Sequence, residues 1–154
     1  MFRDHEVDVT LDQCYKAKRM AFKMIHGVEE KQYERLWDYV AAIRKWNVGS
    51  IVKIQTTSDV FERMYVCLNA CKRGFLAGCR PFIGIDRKGT TGGQLMVAVG
   101  KDGNDNIFPI AFAIVEIENK SSWTWFLQCL LDDIGHVDEN GWVFISDRQK
   151  ARNN

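Results

Sequence analysis

A mixed α/β fold is predicted by three features of the second half of this chain. Phe82–Asp86, Gln94–Gly100 and Phe108–Glu118 are apolar runs of strand length, separated by segments rich in Gly, Asp and Asn. The stretch that follows carries Trp123, Phe126, Leu127, Leu130, Leu131 and Ile134 at helical spacing. A last apolar run, Trp142–Ser146, ends at Asp147. Strands joined by tight turns pair antiparallel, whereas a helical crossover returns the chain to a parallel neighbour. The expected core is therefore a mixed sheet of three antiparallel strands, a crossover helix and a parallel fourth strand, preceded by a helical segment. Residues 1–78 form the helical region and 79–154 the sheet region in this reading.

The elements follow in order. Thr10 is placed to cap a first helix, on which Leu11, Cys14, Ala17, Ala21, Met24 and Ile25 recur at helical spacing, and Gly27 can end it. Lys16, Lys18, Arg19 and Lys23 fall within the same segment. Tyr33, Leu36, Trp37, Val40, Ala41 and Ile43 predict a second helix, ending near Asn47 and Gly49. Ile51–Ile54 reads as a short strand, and Phe61–Leu68 as extended chain leading into a short helix around Ala70–Phe75. Gly89–Gly93 is a turn-rich connection, and the Asp102-Gly103 pair, tolerant of positive φ, predicts a tight hairpin. The near-continuous apolar character of Phe108–Glu118 suits a strand partly buried on both faces. Ser121 or Ser122 caps the crossover helix, and Gly135 suits its C-terminus.

Composition sets the class. The chain has 154 residues, 46% hydrophobic and 27% charged, as expected for one globular domain with a small helical appendage. The net charge of +1 is unevenly spread. Residues 1–80 hold 14 Lys+Arg against 10 Asp+Glu, and residues 81–154 hold 7 against 10. A basic front and an acidic back suit a nucleic-acid-facing arm beside an acidic site. Cys14, Cys67, Cys71, Cys79 and Cys129 are odd in number and stand among apolar neighbours, which argues for reduced, buried thiols in a cytosolic or nuclear compartment. His5, His26 and His136 are remote from the Cys67–Cys79 group, so a zinc site there is not expected. No signal peptide or membrane-length apolar run is read, and no membrane partner is expected.

Asp86 and Asp147 are the candidate chemistry. If the fourth strand lies beside the first, the two carboxylates occupy neighbouring positions. Hard divalent cations favour carboxylate oxygen, and a pair of such ions can both activate a nucleophile and stabilise a leaving oxygen in phosphodiester chemistry.

Several motifs in order carry a family resemblance: Gly78-Cys79-Arg80-Pro81-Phe82-Ile83-Gly84-Ile85-Asp86, Gly92-Gly93-Gln94-Leu95, Ile107-Phe108-Pro109-Ile110-Ala111-Phe112-Ala113, Glu116-Ile117-Glu118-Asn119-Lys120, Ser122-Trp123-Thr124-Trp125-Phe126-Leu127 and Ile145-Ser146-Asp147-Arg148-Gln149-Lys150. Together they resemble the catalytic region of plant Mutator-like element (MULE) transposases. The front half, with Gln13–Arg19 and Tyr33–Tyr39, is similar to the segment preceding that region. The resemblance implies a ribonuclease-H-like fold, a DDE active site, Mg²⁺ or Mn²⁺ as cofactor, DNA element ends as partner and a nuclear location. It implies that Asp86 and Asp147 are the first two catalytic, metal-binding acids. Two departures bear on activity. A short run that follows the first aspartate in the family is missing, so that Arg87 stands next to Asp86; a shortened strand and competition with metal are expected. No acid follows Asp147, and Glu116 and Glu118 are poor substitutes for the family's third acid. The expectation is a truncated transposase fragment, inactive alone, binding no metal of its own or only weakly, with one sheet face under-covered. Self-association or pairing with full-length transposase follows from that bare face. The alternative is a non-catalytic module that binds DNA or protein, with Lys16, Lys18, Arg19 and Lys23 as its DNA contacts.

Overall fold

The structure is a computed structural model and describes residues 10–26, 35–58, 60–90 and 93–146. The chain divides into two compact units, Met1–Asp38 and Tyr39–Asn154.

In the first unit, α1 spans Leu11–His26. Its start is a reciprocal capping box: Gln13 N–H donates to Thr10 Oγ1 at 3.3 Å, and Thr10 N–H donates to Gln13 Oε1 at 2.9 Å. Each side chain satisfies a backbone donor that the first helical turn leaves without a partner. Gly27 and Tyr33, named above as helix residues or stops, lie outside the described residues.

The second unit is built on one sheet. Helix α2 (Leu36–Trp46) crosses the unit boundary and leads into β1 (Ile51–Thr57), β2 (Val60–Cys67), α3 (Asn69–Gly78), β3 (Phe82–Thr90), β4 (Gly93–Lys101) and β5 (Ile107–Val115). The crossover helix α4 (Lys120–Ile134), a short turn of helix α5 (Val137–Asn140) and β6 (Val143–Ser146) follow. The strand order is β1-β2-β5-β4-β3-β6. All neighbours are antiparallel except β3 and β6, which are parallel. The expected meander, crossover helix and parallel return strand are all present, but the sheet has six strands rather than four. The extra pair, β1 and β2, is the short strand and extended chain expected at Ile51–Ile54 and Phe61–Leu68, and it extends the sheet beyond β5. The reason is that β5 is apolar on both faces, so its free edge gains a hydrogen-bonded and packed neighbour in β2.

Side chains alternate across the sheet, which fixes the layers. Tyr65 and Cys67 of β2, Ile83 and Ile85 of β3, Met96 and Ala98 of β4 and Ala113 and Val115 of β5 point to one face and pack there with Phe75 of α3 and Phe126, Leu130 and Ile134 of α4. Gly100 is required by this packing, because a Cβ at that position would stand 2.8 Å from the Phe75 ring. On the opposite face Ile43 of α2 and Val66 of β2 line one cavity, and Arg44 Nη2 donates to the Val52 carbonyl at 3.1 Å. Helix α2 thus covers the β1–β2 side of that face.

Two local expectations change. Helix α4 is capped by Asn119, whose side chain accepts from Ser122 N–H at 2.8 Å, so the serines are inside the first turn. The β4–β5 connection is a five-residue loop rather than a tight Asp-Gly hairpin: Asp102 Oδ1 accepts from the Asn104 and Asn106 amides, and Asp105 takes the positive φ of 65°. Gly135 ends α4 as expected, with φ 89°.

Candidate carboxylate site

Asp86 lies in the middle of β3, not at its end. The strand continues through Arg87, Lys88 and Gly89 to Thr90, and Asp86 is paired with Val97 of β4. The strand does not end at Asp86 as expected, because the residues after it find partners along β4 as far as Thr90 opposite Gly93. By alternation Asp86 shares a face with Phe82 and Gly84, away from buried Ile83 and Ile85. Its side chain is exposed, and Oδ1 accepts from the Arg87 amide at 2.7 Å.

Arg87 points the other way. Its Nε donates to Glu118 Oε1 at 2.6 Å, and both side chains are about one-third exposed (31% and 33%). Glu118 Oε1 also accepts from Trp123 Nε1 at 3.3 Å. The Arg87–Glu118 ion pair ties β3 to the β5–α4 connection. Glu118 is committed to that pair, and Glu116 is exposed beyond the end of β5.

The strand beside Asp86 is β6. Its parallel register pairs Phe82 with Val143, Ile83 with Phe144, Gly84 with Ile145 and Ile85 with Ser146. Asp147 lies outside the described residues. Among the described residues no group of three or more His, Cys, Asp or Glu side chains is close enough to hold a metal ion. Asp86 alone does not make a divalent-ion site, since such an ion needs several oxygen ligands from fixed positions.

Lys16 and Lys18 are exposed on α1. Arg19 and Lys23 stand on the same helix, but their side chains lie outside those described.

A polar group that sequence reasoning missed sits beneath the C-terminal end of α4. Tyr65 is fully buried and donates from its hydroxyl to Asp133 Oδ2 at 2.8 Å. Asp132, beside it in sequence, pairs with Lys53 of β1 at 3.0 Å and accepts from Gln128 at 2.9 Å. The Gln128 bond and then Lys53 hold the Asp132 carboxyl below its usual range. Burial works against the charge on Lys53, but Asp132 outweighs it and raises the ammonium above its ordinary value. Burial first, and then neighbouring Cys67 and Asp133, push the Tyr65 phenol up. A clue was legible: two aspartates in the last turn of a helix oppose its dipole and require outside donors. Trp123 and Trp125 of α4 are half-buried. Trp123 packs edge-on to Phe126 at 6.4 Å, and Trp125 meets Tyr65 at 6.5 Å and the Arg63 guanidinium at 5.3 Å.

The family model for the MULE transposase domain matches residues 84–154, from two residues before Asp86 to the end of the sequence. The match supports the MULE transposase family for this part of the chain. Neither a curated protein nor a solved structure shows significant similarity.

Proposed function

We propose that residues 79–154 derive from the catalytic region of a plant-type MULE transposase with a ribonuclease-H-like sheet, and that residues 1–78 are the region preceding it. The supporting observation is the parallel register that sets Ile85 opposite Ser146. The next residue of each segment is an aspartate, Asp86 and Asp147. An aspartate directly after each of two parallel-paired residues in the sequence suits a DDE-type acid pair. DNA element ends are the partner in this reading, and the nucleus its place of action.

The reading assigns Asp86 and Asp147 as the first two acids of the set. In the family, Mg²⁺ or Mn²⁺ between such acids supplies the electrophilic chemistry of DNA cleavage and joining. Of these two acids, Asp86 is presented on β3 among the described residues. Glu118, held by Arg87 and Trp123, is not available as a third acid. In this reading the chain alone is inactive. Incubation with terminal-repeat DNA and Mg²⁺ or Mn²⁺ is expected to give no nicks or joined products. Cleavage that disappears in Asp86→Asn would overturn inactivity and restore the enzyme reading.

A second reading, a non-catalytic DNA-binding module, is favoured by exposed Lys16 and Lys18 on α1. If Lys16, Lys18, Arg19 and Lys23 each neutralise one phosphate, log affinity for duplex DNA falls with log salt at a slope of about −3.6. Replacing all four with Gln is expected to abolish most of that slope. Absence of binding at low salt, measured by fluorescence anisotropy, removes this reading.

A further inference from the structure

β6 is short for the place it fills. It holds four residues and, among the described strands, pairs with β3 alone, through four register pairs against seven between β3 and β4. A parallel ladder is slightly less stable per residue than an antiparallel one, and so short a ladder offsets little of the backbone entropy lost in forming it. The segment leading to it adds little more. None of the α5 side chains is buried, and a glycine of positive φ stands on either side of that turn of helix, Gly135 at 89° and Gly141 at 67°. Val143 N–H donates to the Pro81 carbonyl at 3.0 Å, one further bond along the same edge.

Two aromatic side chains supply what the ladder lacks. Phe144 packs on the core from within the strand. Trp142, the residue before β6, reaches three elements at once. Its Nε1–H donates to the Gly135 carbonyl at 3.1 Å, closing the α4–β6 connection on itself. Its ring lies 5.1 Å from that of Phe75 in α3, tilted by 38°. Phe75 is fully buried against β4, where Gly100 leaves room for it. One indole thus joins the end of α4, the entry to β6 and the buried face of α3.

We propose that Trp142 is a positioning residue: it latches β6 onto β3 in the register that sets Ser146 opposite Ile85, and its loss releases α5 and β6 as a unit about their two glycine joints while the rest of the sheet stays folded. The consequence for the acids rests on the transposase reading, because Asp86 and Asp147 directly follow Ile85 and Ser146 in the sequence. The latch itself uses neither carboxylate.

Native-state hydrogen exchange of the full chain, read by mass spectrometry, tests it. A residue that only adds stability to the core acts through global unfolding and changes exchange by one factor throughout the sheet, whereas a latch changes it in one segment. In the unaltered protein, peptides covering 136–146 are expected to exchange together and faster than those of β4 and β5. Trp142→Ala is expected to accelerate 136–146 at least about tenfold, with β4 and β5 changed less than about twofold. Trp142→Phe keeps an aromatic ring for Phe75 but loses the donor to Gly135, and its effect on the same peptides is expected to be smaller than that of Trp142→Ala. Circular dichroism establishes that each variant is folded, and Trp142→Phe keeps the test open if Trp142→Ala does not fold. Equal acceleration across the sheet overturns the proposal, as does unchanged exchange at 136–146. The exchange is read without metal or DNA, so its outcome is independent of the cleavage assay that tests the transposase reading.

Discussion

At the residue scale, the buried Tyr65–Asp133 hydrogen bond is the contact on which the α4 end of the core most depends. Asp133 has 5% of its surface exposed and Tyr65 none, so neither group can turn to bulk water without displacing the helix. Tyr65→Phe keeps the ring and removes the donor, leaving a buried carboxylate short of a partner. A loss of about 1–3 kcal/mol is expected in urea unfolding. Cys67, beside this pair, has its thiol pushed up to about 12, first by burial and then by the Asp133 charge. The thiolate is the reactive form, so Cys67 is expected to resist maleimide in the folded protein near neutral pH, while half-buried Cys71 is modified first. Peptide mass spectrometry distinguishes the two; modification of Cys67 ahead of Cys71 would contradict the packing described. The burial of Cys67 was expected from its apolar neighbours, whereas the partner of Tyr65 was not legible in sequence, since that contact joins residues far apart in the chain.

At the element scale, α4 and β4 show which sequence signals are reliable. The helix and its Gly135 terminus were legible from spacing and from the conformational freedom of glycine, whereas the cap was misassigned by two or three residues. Asn119, Ser121 and Ser122 are all acceptable caps by residue type, and the strand exit at Val115 decides among them. Asn119→Ala is expected to cost about 1 kcal/mol, measured by thermal or urea unfolding. Gly100→Ala forces a methyl against the Phe75 ring and is expected to cost about 1–3 kcal/mol by the same measurement. The Lys53–Asp132 link between β1 and α4 gives a pH dependence of definite sign. Asp132 has a depressed carboxyl, so its contribution is complete above the unfolded value near 3.8 and disappears as pH falls through the lower folded value. Lys53 has a raised ammonium, so its contribution is complete below 10.5 and disappears as pH rises through the higher folded value. Both side chains are more than a third exposed, at 38% and 44%, which limits the pair to about 0–1 kcal/mol. Lys53→Met is expected to flatten both limbs of the stability–pH profile slightly; a change in the neutral region larger than that range would show that more than the ion pair was lost.

At the scale of the whole molecule, one sheet organises the second unit. Among the described residues no helix is long and apolar enough to cross a membrane. The sequence by itself determined the meander, the crossover helix and the parallel return strand, because tight turns force antiparallel neighbours and a helical connection forces a parallel one. It also singled out Asp86, by its place after Phe82-Ile83-Gly84-Ile85. Only the tertiary structure decided the rest. The extended character of β1 and β2 was legible in Ile51–Ile54 and Phe61–Leu68, but their joining to the sheet through β2 and β5 was not, because edge pairing leaves no periodic mark in sequence. Asp86 falls within β3 because the strand's length is set by partners on β4. Arg87 turns to Glu118 because alternate residues of a strand face opposite sides, and it is the position of α4, not the residues next to Asp86, that puts a carboxylate within its reach.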